Sequence, residues 1–354
     1  MDKEFKRSTM KKILIPMMAV AFLAACSETN EWKFPVAPSD TSSSSDATVP
    51  TDPSSSSVEI LPVGESSSSA LDLPGLSSSS LEILPELSSS SNGAAQFTYS
   101  VPPLTELDPT KSYSFFGAEL SGRDQFKYGR FEARMKMAAL SGTVSSMFIY
   151  YDDSWKKGEE PWNEVDIEVL GKAANKWQSN IITREGDPSI KANTSSESSP
   201  LHDFGFDATQ DFHLYTIVWT PEYVSWEIDS VEVRRDTLGM SRGSHADGDQ
   251  VAFLTEQQSL RFNLWASNSA AWTGKWNKGI GLPIEQQIDY VRVYSYDEAT
   301  KGFTLLWQDD FDGEDVDPQR WGKGDWEMER VNLRPSNVVV ENGVCRLIMD
   351  YEAD

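Results

Sequence analysis

The chain has 354 residues, with 55 acidic against 31 basic side chains and a formal charge of −24. That balance argues strongly against nucleic acid as a partner, because phosphate binding needs basic patches, and equally against anionic polysaccharides. Twelve tryptophans leave a neutral glycan compatible, and two cysteines allow at most one disulfide.

The first 25 residues read as a signal peptide. Lys11 and Lys12 form a basic start, with Met10 as an alternative initiator, and an apolar stretch from Ile13 to Ala25 is too short to span a bilayer comfortably. It closes on Leu23-Ala24-Ala25-Cys26, with small residues before a cleavage point. A cysteine there resembles the bacterial lipoprotein signal and makes Cys26 the expected lipidation site. Ser27 after it leans toward an outer-membrane lipoprotein, displayed at the cell surface or in the periplasm. Each acyl CH₂ buried would contribute about 0.8 kcal/mol to anchoring. Removing 1–25 takes away five basic and two acidic side chains and leaves the remainder near −27.

Residues 26–96 read as a disordered spacer. Four-serine runs recur at 42–45, 54–57, 66–69, 77–80 and 88–91, separated by short acidic-aliphatic pieces such as Leu81-Glu-Ile-Leu-Pro85. Such pieces carry too little apolar surface to repay chain ordering. A flexible coil of this length spans about 45 Å root-mean-square, enough to hold a domain clear of a membrane.

From 97 to 354 the composition turns globular, with room for one large domain. Strands are predicted from Phe131 onward within Tyr128-Gly-Arg-Phe-Glu-Ala-Arg-Met-Lys-Met, then over Val144–Tyr151, Glu164–Leu170, Phe212–Trp219, Tyr223–Ile228, Val231–Arg234, Leu260–Trp265, Ile288–Tyr294 and Phe303–Trp307. Segments 184–210 and 235–250 read as long polar loops. Many short strands without intervening long helices predict an all-β sandwich of two sheets. Cys345, in an apolar run, reads as a buried small side chain.

Within Pro161-Trp-Asn-Glu-Val-Asp-Ile-Glu-Val-Leu-Gly-Lys172, the carboxylates Glu164, Asp166 and Glu168 stand at two-residue spacing. In a strand they share one face, and Val165, Ile167 and Val169 share the other. Three acids in a row repel one another, which a purely structural role rarely asks for. Paired carboxylates in different protonation states are the requirement of glycoside hydrolysis. Glu164 and Glu168 lie about 13 Å apart along the strand at Cα, whereas a retaining glycosidase needs carboxyl groups about 5–5.5 Å apart. The expectation is therefore a bent strand flooring a concave cleft. The charge of Asp166 would raise a neighbouring acid's pKa and its hydrogen bond could orient the nucleophile.

This strand resembles the catalytic strand of family-16 glycoside hydrolases, and of the lichenases among them. Further segments match: Tyr128-Gly-Arg-Phe-Glu-Ala-Arg-Met-Lys, Ser145-Ser-Met-Phe-Ile-Tyr, Gln178-Ser-Asn-Ile-Ile-Thr, Arg261-Phe-Asn-Leu-Trp, Ala270-Ala-Trp and Arg320-Trp-Gly-Lys-Gly-Asp-Trp. The resemblance implies a jelly-roll sandwich, with Glu164 as nucleophile, Glu168 as general acid/base and Asp166 as assisting carboxylate. It implies aromatic subsites at Phe148, Tyr150, Trp265, Trp272 and Trp326, and hydroxyl-binding residues at Gln178, Asn180, Arg261 and Asn263. For Arg261 a salt bridge near the nucleophile is the alternative, and for each Trp a place in the core. The spacing of the trio lacks the bulge residue common in laminarinases, which favours a lichenase.

The same resemblance implies a circular permutation, since the piece resembling Trp307–Met349 comes first in most of the family and last here. It also implies a possible structural calcium at Asp289, Asp310 and Gly343, held largely by backbone oxygens, with no cofactor needed for the chemistry. Asp152 stands where similar chains carry a polar amide, and the stretch after Trp326 looks shortened. Other chemistries lack their signatures: His202, His213 and His245 show no zinc spacing, no Gly-x-Ser-x-Gly elbow occurs, and Gly322-Lys-Gly is not a phosphate loop. The resulting expectation is a monomeric, membrane-tethered retaining endo-β-glucanase acting on neutral mixed-linkage β-1,3-1,4-glucan. An endo-β-1,3-glucanase and a non-catalytic glucan-binding lectin on the same fold are the alternatives.

Overall fold

The computed structural model describes residues 97–156, 159–184, 196–239 and 249–354. The predicted signal peptide, Cys26 and the spacer lie outside the described residues.

The strands run in chain order as β1 (Tyr113–Gly122), β2 (Gly129–Lys136), β3 (Thr143–Tyr150), β4 (Trp162–Leu170), β5 (Lys176–Arg184) and β6 (Ser196–Glu197). There follow β7 (Leu201–Asp203), β8 (His213–Trp219), β9 (Tyr223–Ile228), β10 (Val231–Thr237), β11 (Ser259–Ala266) and β12 (Ile284–Asp297). The last are β13 (Gly302–Asp309), β14 (Trp321–Lys323), β15 (Glu327–Met328), β16 (Val331–Leu333), β17 (Val338–Glu341) and β18 (Val344–Ala353). Among the described residues two single-turn α-helices, α1 (Gln250–Phe253) and α2 (Ala270–Thr273), and a 3-10 turn at Pro335–Asn337 interrupt them.

The strands form the expected all-β sandwich. One sheet has the order β14-β1-β11-β3-β4-β5, with β6 and β7 both paired to the outer side of β5. The other runs β17-β18-β12-β2-β8-β9-β10, with β13 beside the C-terminal half of β12. These pairings are antiparallel. The first half of β1 leaves its own sheet to pair with the end of β18, Tyr113 opposite Ala353, so the first and last strands share one ladder.

Period-two alternation explains why β4 sits where it does. Val165, Ile167 and Val169 are fully buried against the second sheet, each contributing about 1.5–3 kcal/mol by leaving water. Their counterparts include Phe131, Ala133 and Met135 of β2 and Trp226 of β9, in one contiguous core. Trp226 also donates its indole N–H to the Asp166 carbonyl oxygen at 2.9 Å, so the second sheet grips β4 at its midpoint. The C-terminal end of β4 is fixed by close packing at Gly171, where a Cβ would stand 1.8 Å from the Leu140 carbonyl oxygen.

The differences from the sequence reading are local. β1 and β5, toward the two margins of the first sheet, and β18 of the second were not among the predicted strands; β1 and β5 each mix polar residues into both faces. The expected loop over 184–210 carries the two short edge strands β6 and β7. β12 is longer than the predicted Ile288–Tyr294, since it pairs successively with β18 and β13.

Candidate active site

Register assembles three rows across the first sheet. Glu164 stands between Tyr150 and Ile182, Asp166 between Phe148 and Asn180, and Glu168 between Ser146 and Gln178. Strand β11 extends the rows with Ser259, Arg261 and Asn263, and β1 adds Glu119 opposite Asn263. Directly opposed side chains share a face, so all three carboxylates meet the aromatic and amide residues expected to surround them. Asp166 is 3% and Glu168 7% exposed, while Glu164 is half-buried.

Neutral donors hold the two glutamates. Trp162, two residues before Glu164 on the same strand face, donates its indole N–H to Glu164 Oε2 at 2.5 Å. Gln178 Nε2 donates to Glu168 Oε2 at 3.0 Å, and its Oε1 accepts the Trp272 indole N–H at 3.1 Å. The Trp162 bond fixes the direction of the Glu164 side chain and the Gln178 bond that of the Glu168 side chain. Phe148, Tyr150, Trp162 and Ile182 form an apolar cluster separate from the main core. Its rings meet edge to face, Phe148 to Tyr150 at 6.3 Å and Tyr150 to Trp162 at 6.1 Å.

The remaining expected residues divide. Asn180 is fully buried; its Oδ1 accepts the Ser198 N–H at 3.1 Å, and its Nδ2 has no partner among the described residues. Asn263 Oδ1 accepts from Ser146 at 2.6 Å. The Arg261 guanidinium is occupied by protein groups: Ser259 Oγ at 3.0 Å, Glu119 Oε1 at 3.0 Å and Asp152 Oδ1 at 2.8 Å. It also stacks 5.0 Å over the Tyr150 ring. This is the salt-bridge alternative raised for Arg261. Burial pushes the Glu119 carboxyl above the usual range, with Arg261 and Asn263 pulling it back. Trp265 is buried in the main core and packs 5.8 Å from the partly exposed Trp272. Trp326 is half-buried against that core.

Sequence reasoning missed Trp162 and Glu119. The first carried a readable signal, since position i−2 on a strand lies on the same face as Glu164. The second, a lone acid in the apolar stretch Gly117-Ala-Glu-Leu120, gave none.

Asp289, Asp310 and Gly343 flank one junction, where the partner of β12 changes from β18 (Ile288 opposite Cys345) to β13 (Val291 opposite Asp309). The Asp289 carboxylate is paired with Arg134 at 2.6 Å and Asp310 accepts from Gln308 at 3.0 Å. Among the described residues no three His, Cys, Asp or Glu side chains gather as a metal cage. Calcium prefers six to eight oxygens, so these side chains do not fit a carboxylate-built calcium site. Backbone oxygens are the donors that the resemblance leaves there.

A two-sheet sandwich carrying an alternating acid trio on one face, among aromatic rings and amides, is the scaffold of a carbohydrate-active protein. Residues 88–292 match the family described as glycosyl hydrolases family 16, well over half of the chain, and the chain belongs to that family. It is 46% identical over 241 residues to a beta-glucanase of Fibrobacter succinogenes, covering 66% of this chain and 64% of the relative. It is 32% identical over 184 residues to a beta-glucanase of Acetivibrio thermocellus, covering 52% and 47%. The chain thus spans less than two thirds of the length of these curated relatives. A solved prokaryotic beta-1,3-1,4-glucanase (lichenase) from a mouse hindgut metagenome aligns at 26% identity and a TM-score of 0.36, over 50% of this chain and 76% of that one.

Proposed function

We propose that this chain is a retaining endo-β-glucanase that cleaves β-1,4 bonds in mixed-linkage β-1,3-1,4-glucan. The observation that carries the reading is the three-row register that puts Glu164, Asp166 and Glu168 on one face with aromatic and amide neighbours. The beta-glucanase names of the relatives support it.

In this reading Glu168 donates its proton to the glycosidic oxygen while Glu164 attacks the anomeric carbon, expelling the leaving sugar and forming a covalent glycosyl-enzyme. Glu168, now a carboxylate, takes a proton from water. The hydroxide attacks the same carbon and releases Glu164, and two inversions give retention. Asp166 assists from the middle row. Rings at Phe148, Tyr150 and Trp272 offer apolar surface for sugar C–H groups, and the second N–H of the Gln178 amide is a donor for a hydroxyl. The strongly negative chain suits a neutral polymer.

The test is hydrolysis of lichenan, laminarin and carboxymethylcellulose by the wild type and by Glu164→Gln, with the product anomer followed by proton NMR. Cleavage of lichenan with β-anomer first, abolished in the variant, is expected. Activity on laminarin alone favours the endo-β-1,3-glucanase, and binding without cleavage by the wild type favours the lectin.

Two features complete the proposal. Cys26 tethers the mature protein to the membrane through its lipid, which palmitate labelling of the wild type and of Cys26→Ala checks. The order of segments reflects a circular permutation. The ladder between β1 and β18 and a family match that stops at residue 292 support it.

A further inference from the structure

We propose that Arg184 is a positioning residue for the nucleophile: its guanidinium packs on the Trp162 indole and holds that ring where its N–H meets Glu164. The inference rests on the reading of Glu164 given above.

Arg184 ends β5 directly opposite Trp162. It is only 6% exposed. Its guanidinium carbon lies 4.9 Å from the centre of the Trp162 ring system, within cation–π range. Nη2 donates to the Ser154 carbonyl oxygen at 2.7 Å, and Nε is buried without a hydrogen-bond partner among the described residues. Burial lowers its pKa, and Tyr150 opposes this.

A buried guanidinium is costly unless it is paired with a carboxylate and fully bonded. Arg346 shows the stabilising arrangement in this same chain, buried between Glu285 and Glu341, and Arg234 with Asp236 shows it again. Among the described residues Arg184 has one carbonyl and one aromatic ring. The arrangement offers little for stability, and what it does is immobilise Trp162. The indole has the Tyr150 ring edge-on at 84° and the guanidinium as its other described ring contact. The Arg184 anchor is tied to the same short segment, because Ser154 Oγ accepts the N–H of Asn163, between Trp162 and Glu164, at 3.1 Å. An indole free to rotate would lose its bond to Glu164. The carboxylate would lose one of its holds and reach the attacking direction less often, and misplacement of a reacting group costs up to about a hundredfold in rate.

The experiment uses the full-length protein with Arg184→Met, Arg184→Lys, Trp162→Phe and the Arg184→Met/Trp162→Phe double variant. On lichenan, Arg184→Met should lower kcat about tenfold with KM within about twofold, because orientation rather than binding is lost. Arg184→Lys, which keeps a cation over the ring, should recover part of that loss. In the Trp162→Phe background, Arg184→Met should cost less than about twofold more, since the path runs through the indole N–H. Additive effects, a rise in KM at unchanged kcat, or wild-type kcat in both Arg184 variants would overturn the proposal. A second readout does not depend on glucanase activity. With ¹⁵N-labelled tryptophan, the Trp162 indole signal, assigned by its loss in Trp162→Phe, should exchange with solvent faster in Arg184→Met and at an intermediate rate in Arg184→Lys. Unchanged exchange overturns the role of Arg184, whereas a wild type that cleaves no glucan overturns only the function.

Discussion

Gln178 and Glu168 lie opposite one another on adjacent strands, and the amide nitrogen of the first donates to the carboxylate of the second at 3.0 Å. The amide keeps that orientation because its oxygen is occupied by Trp272, whose indole N–H can only donate. A flipped amide would turn its oxygen on the carboxylate and face one donor with another.

Removing either partner therefore disturbs Glu168 to different degrees. Gln178→Ala should lower kcat on lichenan by up to about tenfold, the scale of a hydrogen bond of about 0.5–1.5 kcal/mol to the protonated acid. Trp272→Phe leaves the amide in place but unlocked, and a smaller loss of about three- to fivefold is expected. Equal losses in steady-state kinetics would show that Trp272 acts on substrate directly.

The two acids of Arg261 should differ in stability. Glu119 is nearly fully buried and Asp152 is more than one third exposed at its side chain. Glu119→Leu leaves a buried cation short of its partner and should cost about 3–5 kcal/mol in urea denaturation. Asp152→Asn should cost no more than about 1 kcal/mol. The pair of values checks which carboxylate neutralises the guanidinium.

His202 sets a pH dependence with a definite sign. Arg234 donates to Ser179 Oγ at 2.9 Å, so the Ser179 hydroxyl is free to donate to His202 Nε2, 2.8 Å away. Burial, and then the Arg234 charge, hold its pKa below 6.5. The folded state thus favours neutral imidazole. This contribution is complete above the unfolded value of about 6.5 and is lost as pH falls through the folded one. The melting temperature of the wild type should fall further between pH 7 and 5 than that of His202→Gln, measured side by side by calorimetry.

Gly171→Ala tests the anchor of β4. A methyl placed 1.8 Å from the Leu140 carbonyl oxygen forces backbone apart. Overpacking of this kind costs about 1–3 kcal/mol or more. Thermal melts should show the loss, and kcat should fall as well because the displaced strand carries all three acids.

The carboxylate face was legible because period two needs no tertiary information: an alternating run such as Glu164–Val169 declares both its faces. The sandwich class followed from the same alternation in other strands. What stayed hidden depends on pairings distant in sequence. Glu119 acquires meaning only when β1 is laid beside β11 and Arg261 arrives from 142 residues away. Arg184 reads as an ordinary strand-terminal cation until β5 brings it over Trp162. The strand β5 was overlooked because its Ser179 and Gln178 look polar on both faces, and the burial of Ser179 is achieved by Arg234 from the far sheet.

The bond from Trp226 to the Asp166 carbonyl ties the reactive surface to the opposite wall of the sandwich. The layer that carries none of the three acids thereby shares in deciding where they point. Changes on β9 become a means of adjusting where the three acids point, and an engineer who repacks only the acid-bearing face will leave half of the alignment machinery untouched.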